Sequence, residues 1–232
     1  MLEHKGISYR RVEVPTGLHP LALRLLGFEG NSAPLRSTGE HPNRPLGTLD
    51  RLGTVPALRI RGERVKTNRA IARFLEQHDP DPPLFPDDPQ QRSAVEEAEQ
   101  WGDEVFQMAA RRLVLAATVR GPDGLLDGGD RGRLGPLLYR RAGTRRIASY
   151  AFGRIIFAAG PSRAREVLAE LGGMLDRVDA WIEAGVLGGE RLYAADFMIA
   201  PSLALLCYRP DTRAEIERRP ALALVDRILP EH

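Results

Sequence analysis

The run Thr54-Val-Pro-Ala-Leu58, followed by Thr67-Asn-Arg-Ala-Ile-Ala-Arg-Phe-Leu75, constrains this chain more than any other stretch. Leu58 and Ile60 alternate with Arg59 and Arg61, the period of a half-buried strand. Arg61-Gly62-Glu63 carries the glycine that a hairpin turn wants, and Arg64-Val65-Lys66 returns as a second strand. Asn68 stands where a helix N-cap is needed, and Ala70, Ile71, Phe74 and Leu75 then fall on one apolar helical face. Pro56 withdraws a ladder donor, so it belongs at a strand start or an edge.

The rest of the chain is organised around this unit. Its 232 residues exceed a typical domain of ~100–150, so two modest domains are expected. Pro20 to Leu26 reads as a short helix with Leu21, Leu25 and Leu26 on one face. Residues 31–53 lack periodicity and form a long loop; Asp79 to Pro89 is proline-rich and reads as a linker. Beyond it the pattern turns helical. Val95, Ala98, Trp101, Val105, Ala109, Leu113 and Ala116 mark one face of a long helix. Ala164, Val167, Leu168, Leu171, Leu175, Val178 and Ile182 mark another. Asp196 to Tyr208 is apolar nearly all round and should be the buried helix of the bundle, with Leu192 and Phe197 stapling a cap at Tyr193.

Charge and cysteine usage narrow the function classes. The net charge is only +2, but ten acidic residues and one basic residue lie between Glu76 and Glu104, and ten arginines and three aspartates between Arg120 and Arg165. No aromatic interleaving accompanies the arginines, so a solvated helix face or a partner for the acidic segment is expected rather than nucleic-acid binding. No apolar run reaches the ~20 residues of a membrane span; the most apolar candidate, Ile147 to Ala159, is broken by Arg154. With no signal-peptide pattern and a single cysteine, Cys207, the expected setting is a reducing cytoplasm. Cys207 sits in an apolar helix and reads as an inert buried thiol. The five histidines, His4, His19, His41, His78 and His232, form no metal-ligand spacing.

Four segments in order resemble the glutathione transferases. They are Met1 to Val14 (the end of a first helix, then a strand over Tyr9 to Val14), the Val55-Pro56 to Leu75 unit, Pro82-Pro-Leu-Phe-Pro86, and Ala194-Ala-Asp-Phe197. The resemblance implies an α/β plus all-α protein: a thioredoxin-like domain over residues 1–80, a linker over 81–88 and an all-helical domain over 89–232. It implies a cis Val55–Pro56 bond and a homodimer. It also implies glutathione as co-substrate, with a small apolar electrophile as its partner and no metal. By position, Val55 and Pro56 would present backbone to the cysteinyl part of the thiol peptide, a form of strand addition. Thr67 and Asn68 would meet the γ-glutamyl carboxylate at a helix N-terminus. The family normally has Glu or Gln, then Ser, at these two places. Trp101, Phe106, Met108, Arg111 and Tyr139 could line the pocket for the electrophile, although core packing is the commoner fate of a residue like Trp101.

In the family a first strand leads to a Ser, Cys or Tyr that stabilises the thiolate by lowering its pKa. This sequence opens inside the first helix, so the thioredoxin-like domain is expected to be truncated at its start, and no residue takes that role. Two function classes follow. One is glutathione-dependent conjugation, isomerisation or thiol exchange; the other is a non-catalytic binding or scaffold protein on the same fold.

Overall fold

The computed structural model describes residues 1–12, 19–28, 56–120 and 161–230. The chain forms two compact units; the described residues of the first run from Met1 to Pro82, and those of the second begin at Pro83.

The first unit contains α1 (His19–Leu25), β1 (Ala57–Ile60), β2 (Glu63–Lys66) and α2 (Asn68–His78). The strands pair antiparallel with Leu58 opposite Val65 and Arg59 opposite Arg64. Arg61 and Gly62 close the hairpin with φ of 52° and 86°. Positive φ at both central residues gives the turn whose twist matches the strands. Helix α2 buries Ile71, Ala72, Phe74 and Leu75. Ala72 therefore replaces Ala70, which is exposed, on the inward face.

Three expectations for this unit change. The N-cap of α2 is Thr67, not Asn68: the Thr67 Oγ1 accepts from the Ala70 N–H at 3.3 Å. Residues 9–12 of the expected Tyr9 to Val14 strand form no strand, and Tyr9 and Val12 are exposed. A strand needs a ladder partner, and the described sheet holds only β1 and β2. In α1 the inward residue is Leu23, while Leu25 and Leu26 are exposed. The cause is the helix end. Gly27, at φ 79°, turns the chain back so that the Phe28 N–H bonds to the Leu23 carbonyl at 2.9 Å, and both of these side chains are buried.

The second unit is helical: α3 (Pro89–Trp101), a π-turn (Gly102–Phe106), α4 (Gln107–Arg120), α5 (Pro161–Glu183), α6 (Ala194–Leu206), α7 (Pro210–Ile216) and α8 (Ala221–Ile228). As its nearly all-apolar sequence requires, α6 is central and packs against α3, α4 and α8. Leu84 and Phe85, expected in the linker, are fully buried in this unit, and the Leu84 carbonyl accepts from the Ala194 N–H at 2.8 Å.

The long helix expected through residues 95–116 is interrupted by the π-turn. One extra residue per turn rotates the following face, so Phe106 is fully buried and Val105 only partly so. Gly102 makes room at that point. A Cβ there would lie 2.8 Å from Met198 Cγ and 3.1 Å from Ile199 Cγ1, so side-chain-free backbone lets α6 approach. On α5, Ala164, Val167, Leu171, Leu175 and Val178 are buried as expected, whereas Leu168 is 40% exposed.

Candidate functional site

The N-terminus of α2 combines three unusual features. Thr67 holds φ 72° and ψ 146°, a left-handed conformation foreign to a β-branched residue. Such strain costs on the order of 1–3 kcal/mol and persists only where the surroundings enforce it. The Thr67 N–H donates to the Pro56 carbonyl at 3.1 Å, tying the helix start to the strand start. Finally, the first turn of α2 carries no acidic residue. The positive end of the helix dipole is therefore not offset by a carboxylate from this turn, an environment that favours an anion.

Of the four expected thiol-site residues, the structure brings Pro56, Thr67 and Asn68 together. Val55 and the Val55–Pro56 bond lie outside the described residues.

The opposite end of α2 is held by a residue that the sequence analysis passed over. The side chain of Lys5 is 0% exposed, and its ammonium donates to the carbonyls of Asp79 at 2.5 Å and Pro82 at 2.7 Å, with Glu76 at 3.6 Å. Arg61 adds a guanidinium to Asp79 Oδ1 at 2.8 Å and to the His78 carbonyl at 3.3 Å. Cations at a helix C-terminus satisfy orphan carbonyls and oppose the negative dipole end. The available signal was Gly6, at φ 64°, where the Ile7 N–H bonds back to Leu2 at 3.0 Å. A glycine-terminated turn fixes the residue just before it.

In the second unit, Trp101 and Phe106 stack with ring centres 5.1 Å apart. Trp181 meets Trp101 edge-on at 5.3 Å, and the Arg177 guanidinium lies over both indoles, 5.2 Å from Trp101 and 4.6 Å from Trp181. Arg177 also pairs with Glu97 at 2.8 Å. This is a cation–π cluster of the kind that stabilises packed helices. Met108 and Arg111 are half-buried on α4. Burial lowers the Arg111 pKa, and the nearby Asp103 carboxylate opposes that shift. Tyr139 lies outside the described residues.

Asp196, within the Ala194-Ala-Asp-Phe197 segment, has a bonding role that its sequence position did not disclose. Tyr193 is the N-cap of α6, but the work of the cap is done three residues on. Asp196 is 0% exposed; its two carboxylate oxygens accept from the Gly188 and Tyr193 N–H groups, each at 2.7 Å. Arg227 donates to the carbonyls of Gly188, Gly189 and Glu190, holding the same loop from its other side. Burial pushes the Asp196 carboxyl up from 3.8 to about 6, against the two N–H bonds and Arg227, which favour the ionised form. The folded state therefore binds this proton more tightly than the unfolded state. Its contribution is present in full below about pH 4 and is lost as pH rises to about 6, a decline of about 3 kcal/mol at 1.36 kcal/mol per unit. Urea titrations across that window should show the decline, and Asp196→Asn should flatten it; parallel slopes would exclude Asp196 as its source.

Cys207 is buried, and burial raises its thiol pKa. Among the described residues no group of histidine, cysteine and carboxylate side chains could hold a metal ion. No helix of the described residues is long and apolar enough to cross a membrane.

No family model and no curated protein matches the chain. Among solved structures it is similar to a GST-like protein from Pseudomonas syringae, with 19% identity and a TM-score of 0.47 over 76% of this chain and 49% of that one. The chain spans about half the length of that protein. The order of parts described above, hairpin and helix followed by a helical bundle, fits a thioredoxin-like unit followed by an all-helical one.

Proposed function

We propose that this chain is a glutathione transferase-like protein whose first unit binds the γ-glutamyl carboxylate of a glutathione-type thiol peptide at the N-terminus of α2. The observation that carries this reading is the strained Thr67, locked to Pro56 at a helix start without a carboxylate in its first turn. Strain of this kind is retained where it presents backbone to a ligand. The Asn68 amide adds a side-chain donor, and the Val55 backbone would meet the cysteinyl part. Trp101, Phe106, Met108, Arg111 and Tyr139 remain the candidates for an apolar electrophile pocket, and the expected setting is the cytoplasm.

Binding without catalysis is the second reading. Two hydroxyls of the first unit are already engaged: Thr67 Oγ1 accepts from Ala70, and Tyr9 donates to Glu3 at 2.6 Å. The Glu3 carboxylate raises the Tyr9 pKa, which makes that phenol a weaker donor to a thiolate. Lack of one such donor lowers the rate by about 10²–10³, by analogy with an oxyanion donor. Conjugation of a general electrophile at an ordinary enzyme rate would reject this second reading.

The binding site itself is tested with Asn68→Ala. Because Thr67 is the cap, this variant leaves the bond from the Ala70 N–H to Thr67 Oγ1 in place, and urea unfolding is measured beside binding to separate the two effects. Its affinity for glutathione in titration calorimetry is expected to fall about tenfold, the worth of one bond to a charged group. Unchanged affinity, or no binding by the parent at millimolar glutathione, would reject the site.

A two-fold homodimer is part of the same proposal. Several acidic side chains already have partners within their own unit, as in Glu76–Lys5, Glu96–Arg92 and Glu97–Arg177. Charge would therefore orient the interface more than hold it, and dimerisation should weaken only modestly with salt. Sedimentation equilibrium at two ionic strengths checks this; a monomer at micromolar concentration in both sinks the dimer.

A further inference from the structure

Among the described residues two that are not glycine hold a positive φ, Arg61 at 52° and Thr67 at 72°. They stand at the two ends of one closed frame. The chain runs out along β1, turns at Arg61 and Gly62, and returns along β2; α2 then packs against β2. Thr67 ties the start of α2, through its N–H bond to the Pro56 carbonyl at 3.1 Å. Arg61 ties the end of α2 to the hairpin turn. Its guanidinium donates to Asp79 Oδ1 at 2.8 Å and to the His78 carbonyl at 3.3 Å. The first central position of such a turn suits asparagine, aspartate or glycine. An arginine there strains the turn, and the grip on α2 offsets that strain. Lys5 also holds residues 79 and 82, but from the N-terminal turn rather than from the hairpin. Glu63 approaches His78 from the hairpin at 4.0 Å, an ion pair only when the imidazole is protonated.

We propose that Arg61 is a positioning residue for the anion site at the N-terminus of α2: by pinning the far end of the helix to the hairpin turn, it fixes the direction in which the first N–H groups point. This inference rests on the thiol-peptide reading given above. The lever is the helix itself. Its 11 residues form a rod of ~16 Å. With the start tethered at Pro56, a drift of ~3 Å at the far end tilts the axis by roughly 10°. A preorganised site tolerates only about 10–20° of misdirection. The pair itself reaches solvent, with 54% of the Arg61 side chain and 27% of the Asp79 side chain exposed. Exposed pairs contribute little to overall stability. Loss of Arg61 is therefore expected to show in affinity rather than in folding.

The test compares the full chain with Arg61→Gly and Arg61→Lys. Glycine relieves the turn and releases the helix end. Its affinity for glutathione in titration calorimetry is expected to fall about threefold. Amides in the middle of α2, residues 72–75, should keep their protection from hydrogen exchange. Arg61→Lys retains a cation for Asp79 and should recover part of the affinity. In the ligand-free protein, Arg61→Gly is expected to move the amide NMR shifts of residues 68–71 as well as those around residues 61 and 79. Shifts confined to the latter two places would overturn the inference. So would unchanged affinity, or an affinity loss matched by lost protection at residues 72–75. Absence of glutathione binding by the parent rejects the thiol-peptide reading instead, and the ligand-free shifts then decide the positioning role on their own.

Discussion

Asp196→Ala is expected to destabilise the helical unit by about 3 kcal/mol at pH 5. The truncation leaves the Gly188 and Tyr193 N–H groups without the acceptor that the fully buried Asp196 supplies. Each orphaned buried donor costs about 1–3 kcal/mol. The loss should be smaller at pH 7, because there the parent already carries an ionised carboxylate in a buried place. Asp196→Asn keeps one acceptor oxygen and should lie between the two. The measurement is urea unfolding of all three proteins at both pH values, read by a probe in the helical unit. A loss below about 1 kcal/mol at pH 5 would mean that the loop backbone finds other partners, and the capping role of Asp196 would fall.

Lys5→Met is expected to loosen the first unit by a similar amount, about 3 kcal/mol. Methionine fills the apolar path of the lysine stem but offers nothing to the Asp79 and Pro82 carbonyls. The ion pair is the lesser part. At 3.6 Å, with Glu76 20% exposed, it contributes no more than about 1 kcal/mol, so Glu76→Gln should do little. Hydrogen exchange of the α2 amides reads this unit separately, which matters in a chain of two units where one unfolding midpoint need not describe both. Faster exchange in Glu76→Gln than in Lys5→Met would reverse the assignment and make the ion pair the main tie.

Much of the local structure was legible in the sequence. The hairpin from Ala57 to Lys66 follows from alternation and from a glycine in the turn, both of which act over a few residues. The amphipathic α2 and the nearly all-apolar α6 follow in the same way, because burying an apolar stripe or cylinder leaves few choices. The buried Cys207 is likewise a consequence of composition along one segment.

Other features were decided only by contacts distant in sequence. Phe106 rather than Val105 turns inward because a π-turn forms where Gly102 meets Met198 and Ile199, and no local pattern announces that meeting. Asn68 and Thr67 are both competent caps, and the choice of Thr67 depends on its N–H reaching Pro56, eleven positions earlier. Lys5 looks like any surface lysine until it is seen against residues 79 and 82. Asp196 sits at the start of an apolar run, and the Gly188 N–H that it accepts belongs to a loop with no periodicity. Sequence determined the hairpin, α2 and α6, because alternation and apolar stripes depend on neighbours within a few residues. Tertiary structure decided which polar groups are buried and what satisfies them, because a hydrogen bond between remote residues leaves no periodic trace.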